Sequence, residues 1–227
     1  MKNKPLLCTP IKTSTQKEAL RRWRALKGQA DLAELWLDEI RDLDLPALLK
    51  HRPTRVICRG KRALEAGRLG ADYVDVLYPN VILRSAKRRR ISRITRDEEI
   101  LRFAQNDMGC KLILSHHDFK RTPSYDSLLK LALRMRRAGA DIVKIACAAR
   151  SFSDAFTMIF LAEELCGRGI LHILIAMGPK GRLSRILTPR LGGTLMFAPL
   201  KRLQGTAPGQ LTVKELRKAW GLIKSAA

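Results

Sequence analysis

The stretch "KLILSHHDFKRTPSYDSLLKLALRMRRAGADIVKIAC", residues 111–147, reads as strand, helix, strand. Its first apolar run, 111–117, ends in two adjacent histidines. Thr122 is placed to cap the helix that follows, and Pro123 suits its first turn. Leu128, Leu131, Ala132 and Met135 share one helical face, and Gly139 ends the helix. A second apolar run, 141–147, then returns. A strand, a crossover helix and a second strand make a parallel pair with a right-handed connection.

The same unit repeats along the chain. Short apolar, β-prone runs stand at 6–11, 32–38, 55–59, 72–77, 111–117, 141–147, 171–177 and 193–199. A further helix is expected over 151–167, with Ser151 and Asp154 at capping-box spacing and Gly167 as its stop. Eight strands alternating with helices predict a single α/β domain over 1–227, a (β/α)8 TIM barrel. A doubly wound open sheet is the alternative. Neither a GxGxxG fingerprint nor a P-loop is present to support nucleotide binding. Residues 84–110 interrupt the pattern with "KRRRISRITRDEEILRFAQNDMG", far more polar than its flanks. The part "RDEEILRFAQND" suits a helix, and 84–108 as a whole reads as a basic surface insertion.

Composition narrows the class. With 227 residues, 46% of them hydrophobic, one sizeable core is expected. No apolar run reaches the length of a membrane span, and the N-terminus is not a signal peptide, so a cytoplasmic protein is expected. Five cysteines at irregular spacing, without CxxC, argue for reduced thiols rather than a disulfide framework or a zinc site, and no metal is expected. The formal net charge of +23 raises the question of nucleic acid. However, aromatic residues make up only 5%, and the dense run "RSAKRRRISRITR" at 84–96 is more simply read as a solvated face.

In a barrel the functional groups gather at the C-terminal strand ends. On 111–117 alternation puts Leu112, Leu114 and His116 on one face and Ile113, Ser115 and His117 on the other. The leucine face should meet the helices, so His117 points into the barrel and His116 belongs to the shell. On the next strand Lys144 sits among Ile142, Val143, Ile145 and Ala146. Burial there is expected to lower its pKa and leave a neutral amine, the nucleophile that forms imines with ketones. A lysine imine beside a proton-shuttling histidine makes a coherent pair. Glu34, Trp36 and Asp38 fall on one face of 32–38, and Arg59 ends 55–59. Lys180, Arg182 and Arg185 follow 171–177, and the loop "GTAPGQL" (205–211) suits a lid. This cluster of cations suggests a small anionic substrate carrying a ketone.

"SHHDFKRTPS", "GADIVKIA", "GRLSR" and "TAPGQL", in this order and spacing, resemble type I 3-dehydroquinate dehydratases. The resemblance runs from "AELWLD" to "VKELRKAW", apart from 84–108. It implies a cofactor-free barrel, a homodimer, that removes water from 3-dehydroquinate in the shikimate pathway. By motif, Lys144 would carry the imine and His117 would move the protons. Arg185 would bind the substrate carboxylate, Thr206 and Gln210 would close over it, and Glu34 and Arg59 would hold ring hydroxyls. Met177 would form part of the wall.

The chain also departs from the family pattern. Trp36 stands where the family's E-x-R-x-D has arginine, which is expected to leave Glu34 and Asp38 without a neighbour on that face. In the family's D-x-E the chain keeps Asp75 but has Leu77 for the glutamate. The segment after Arg59, from which the family draws the acid that pairs with the histidine, is short, and Glu65 is the only acid in it. The "SHHDF…TP" and "APGQ" motifs speak against other imine-forming barrels such as class I aldolases. A non-catalytic or weakly active descendant, binding nucleic acid or a protein partner through its basic surface, stays open beside the enzyme reading.

Overall fold

The computed structural model describes residues 5–78 and 109–224. Eight strands, β1 (Leu6–Ile11), β2 (Leu32–Trp36), β3 (Arg55–Arg59), β4 (Tyr73–Leu77), β5 (Lys111–Asp118), β6 (Ile142–Ala148), β7 (His172–Met177) and β8 (Leu195–Phe197), form one sheet. Every adjacent pair is parallel, in the order β7-β6-β5-β4-β3-β2-β1-β8. The sheet closes where His172 at the start of β7 bridges Gly193, and where Thr194 N–H donates to the His172 carbonyl at 2.9 Å. That seam excludes the open doubly wound sheet and completes the expected (β/α)8 barrel. The call of a basic insertion over 84–108 lies outside the described residues.

Described helices are α1 (Gln16–Arg24), α2 (Leu45–Lys50), α3 (Ala63–Arg68), α4 (Tyr125–Arg137), α5 (Phe152–Gly167), α6 (Arg182–Leu187) and α7 (Val213–Lys224). α5 starts as the sequence expects: Ser151 Oγ accepts from Asp154 N–H at 3.3 Å, and Asp154 returns bonds to Ser151 and Arg150 N–H. Its last residue is Gly167, the expected stop. α4 starts two residues later than expected, with Ser124 rather than Thr122 at its N-cap position, because Thr122 Oγ1 donates instead to the Ala148 carbonyl at the end of β6. Pro123 therefore lies in the loop. β2 ends at Trp36 rather than at residue 38. Leu37–Glu39 turns into one 3₁₀ turn, and the Asp38 carboxylate accepts from Lys61 N–H. β8 spans only Leu195–Phe197 of the run expected over 193–199.

Alternation sorts side chains into two apolar zones. Val74, Val76, Leu112, Leu114, Val143, Ile145 and Leu174 face outward and meet Leu128, Ala132 and Met135 of α4 and Met158, Leu161 and Leu165 of α5. Ile57, Ile113, Ile142, Ile173, Ile175, Leu195 and Phe197 belong to the other zone, which fills the barrel and continues outward to Trp23 of α1 and Leu45 and Leu48 of α2. The inward rows of β2, β4, β5 and β6 break this pattern with Glu34, Asp75, Ser115 and Lys144, all buried. Four polar side chains in an apolar lumen mark the site.

Candidate active site

Lys144 lies in register with Ser115 on β5 and Ile173 on β7. Its side chain is 4% exposed. Nζ donates to Asp75 Oδ2 at 2.6 Å and to Glu34 Oε1 at 3.1 Å, and lies 4.2 Å from the centre of the Phe197 ring. A buried ammonium persists only with such partners. Burial pulls its pKa down, but the Asp75 and Glu34 carboxylates outweigh this and hold it above the ordinary lysine value. The expected neutral amine is thus corrected: Lys144 is charged, because two acids sit on it. Burial likewise opposes ionisation of Asp75, yet Lys144 and Arg59 hold its carboxyl below the usual range.

His117 stands two residues beyond Ser115 on the same inward face, in register with Ala146. Burial first, and then the Lys144 charge, push its pKa down to about 4. Its ring is therefore a neutral base at pH 7. Phe119 stacks on it at 5.8 Å with an interplanar angle of 13°. His116, expected in the shell, also lines the pocket. β5 runs on to Asp118, past Ser115, which is the last residue that β4 pairs, so both faces of its end reach the mouth. Glu65 is not a histidine partner, since both its oxygens take bonds from Arg62 on the surface.

Arg185 enters from α6 and is 1% exposed. Its Nη2 donates to the Pro208 carbonyl at 3.3 Å, while its Nε is buried without a partner. Burial brings its pKa to about 10, so it stays cationic. Pro208 belongs to the 205–211 loop, whose carbonyl also accepts from Gly178 N–H at 3.1 Å. Gln210 organises that loop: its Oε1 accepts from Thr206 N–H (2.7 Å) and Ala207 N–H (3.2 Å). Gly209, at φ +76°, passes so close to the Gly178 carbonyl that a Cβ would sit 2.2 Å from its oxygen. Only glycine admits that approach.

Glu34, Arg59, His117, Lys144, Arg185, Thr206 and Gln210 all line one cavity of about 450 Å³, with Met177 in its wall. Lys180 does not reach it, because its ammonium donates to the Arg150 carbonyl outside. Arg182 is not among the lining residues either. The expectation that Trp36 leaves Glu34 and Asp38 without neighbours is corrected too. Trp36 Nε1 donates to Glu34 Oε2 at 2.8 Å, Arg59 Nη1 lies 4.0 Å from Glu34 Oε1, and Asp38 turns away to Lys61. Two residues that touch Lys144 were not among the sequence candidates. Asp75 was met as the aspartate of the D-x-E pattern but was given no role, although a lone acid between Val74 and Val76 signals one, whereas Phe197 looks like any core aromatic. Around the pocket three cations, Lys144, Arg59 and Arg185, face two carboxylates, so the bare site favours an anion.

Comparison with known proteins places this geometry. A 3-dehydroquinate dehydratase of Thermococcus gammatolerans is 33% identical over 197 residues, spanning 85% of this chain and 87% of that one. A bifunctional 3-dehydroquinate dehydratase/shikimate dehydrogenase of Arabidopsis thaliana is 29% identical over 240 residues. That match spans 95% of this chain but only 37% of the relative's length. The barrel superposes on the 3-dehydroquinate dehydratase of Geobacillus kaustophilus with a TM-score of 0.81 at 22% identity, covering 99% of this chain and 93% of that one. The family model for Type I 3-dehydroquinase matches residues 7–227, and the chain belongs to the type I 3-dehydroquinase family.

Proposed function

We propose that the chain is a hydro-lyase that dehydrates 3-dehydroquinate to 3-dehydroshikimate through an imine on Lys144, the shikimate-pathway step on the way to aromatic amino acids. The observation that carries this reading is a buried, doubly paired lysine sharing one cavity with a neutral histidine and an arginine whose buried Nε has no partner. Lys144 first gives a proton to a base in the pocket, and Nζ adds to the C3 carbonyl. The carbonyl oxygen leaves as water and an iminium forms. The iminium draws electrons from the adjacent C–H bond, and neutral His117 takes that proton. The resulting enamine expels the C1 hydroxyl, which leaves as water with the proton returned by His117. A water molecule then hydrolyses the imine and frees Lys144. The net change is loss of one water.

Arg185 is suited to the substrate carboxylate. Its unused Nε donor and its desolvated charge gain a partner only when an anion binds. Glu34 and Arg59 hold ring hydroxyls, and the Thr206–Gln210 loop covers the bound ring. The test is direct: 3-dehydroquinate is added and the conjugated enone is followed by absorbance. Borohydride reduction with ligand present should add a stable mass to Lys144. His117→Ala should keep the trapped adduct and lose turnover. An unmodified Lys144 under saturating ligand overturns the mechanism.

Two further features support the rest of the reading. No described helix is long and apolar enough to cross a membrane, and the free cysteines suit a reducing cytoplasm. Phe152, Phe156 and Phe160 form an exposed row on α5, and we assign this row to a second copy in a homodimer. Sedimentation should give twice the 25.6 kDa chain mass, and the chain mass itself for Phe156→Glu. A Phe156→Glu variant that still sediments as a dimer places the contact elsewhere.

A further inference from the structure

We infer that Trp36 is a positioning residue for the pocket, acting by holding Arg59 where the substrate needs a cation. This rests on the dehydratase reading and adds a residue to it. Trp36 and Arg59 are register neighbours at the ends of β2 and β3. The Arg59 guanidinium stacks over the indole, 4.2 Å from the ring centroid. The indole is itself oriented, because its N–H donates to Glu34 Oε2 while Glu34 Oε1 takes Lys144. The other charges that Arg59 feels are Glu34, at 4.0 Å and beyond hydrogen-bond reach, and Asp75, its register neighbour on β4. The stack is therefore the main restraint on a side chain that is 22% exposed at the pocket wall.

The same two residues also line a smaller cleft with Asp38, Glu39 and Lys61, so the stack forms the wall between cleft and pocket. Without the indole, Arg59 falls onto Glu34, which has just lost a donor, or swings toward the acids of the cleft. Either move withdraws the cation from the substrate. Lys12, whose ammonium lies 5.0 Å from the same ring, is held at the rim by Glu39 and does not line the pocket, so it does not replace Arg59.

The test is a double-mutant cycle of Trp36→Leu and Arg59→Met, read as kcat and KM, with Trp36→Phe as the conservative variant. Trp36→Leu should raise KM about tenfold, with kcat changed less than about threefold, the loss expected of one desolvated cation–ring contact. In the Arg59→Met background the same substitution should raise KM hardly at all. Trp36→Phe, which keeps a ring and loses its anchor to Glu34, should fall between parent and Leu. Thermal unfolding of each variant identifies simple loss of fold. Losses that multiply independently, or a Phe variant as impaired as Leu, overturn the inference and leave the dehydratase reading intact. A parent chain with neither turnover nor a Lys144 adduct overturns the dehydratase reading, and this inference falls with it.

Discussion

The proton carried by Lys144 governs how the residues work. In the free pocket it rests on Lys144, held there by Asp75 and Glu34, while His117 is neutral because burial and the Lys144 charge push its pKa to about 4. Moving that proton from lysine to a pocket base creates the nucleophile without changing the total proton count. The reactive arrangement is then present in a constant fraction between the two ionisations. The kcat/KM profile should be flat through neutrality. It should fall below about pH 4, where His117 gains a second proton, and at alkaline pH above the ordinary lysine value, where Lys144 loses its own. Initial rates at subsaturating substrate across the pH range check this. An acid limb near 6.5, the value of an unburied histidine, would show that the pocket does not depress His117.

At the scale of elements, legibility depended on whether a signal was local. The Ser151–Asp154 box lies within four residues, and the sequence reading of α5 needed nothing else. Period-two alternation is equally local, so the inward placement of His117 could be read from 111–117, whereas the apolar neighbours of Lys144 in 141–147 gave its burial and not its face. Thr122 carries the same capping chemistry as Ser151, but its hydroxyl goes to Ala148, 26 residues away, and no local pattern records that. Strand ends failed in the same way. β2 stops at Trp36 because Asp38 is drawn to the backbone of the β3–α3 turn, a contact made only after folding. The charge on Lys144 was misread for this reason too: burial was visible in its apolar flanks, while Asp75 and Glu34 arrive from strands 69 and 110 residues away. The 205–211 loop was legible as glycine- and proline-rich. That Gly209 must lie against Gly178 is a tertiary fact.

For the molecule as a whole, the barrel commits buried histidines to the neutral state, and that ties its stability to pH. His117 is held at about 4, and burial also lowers His116 and His172. His172 sits at the seam where β7 meets Gly193. Its Nδ1 is bonded to the Ile170 carbonyl at 2.9 Å and its Nε2 has no partner. Protonation there would bury a charge with an unpaired donor in the closure of the barrel. In the unfolded chain these rings titrate near 6.5. Below that value the unfolded state binds protons that the fold refuses, so stability is complete above about 6.5 and declines as pH falls toward the folded values. The lowered carboxylates act in a separate window. Glu18, at about 2, and Asp75 hold their contribution until the pH drops below the ordinary carboxylate range. A loss of stability between pH 6.5 and 5 therefore belongs to the histidines. Urea unfolding should give a lower midpoint at pH 5 than at pH 7.5, and His172→Gln, which has no ring to protonate at the seam, should show a shallower dependence whatever its absolute midpoint. A parent midpoint that does not move between those pH values, or a His172→Gln slope equal to the parent's, rules out the seam histidine as the acid-sensitive point of the barrel.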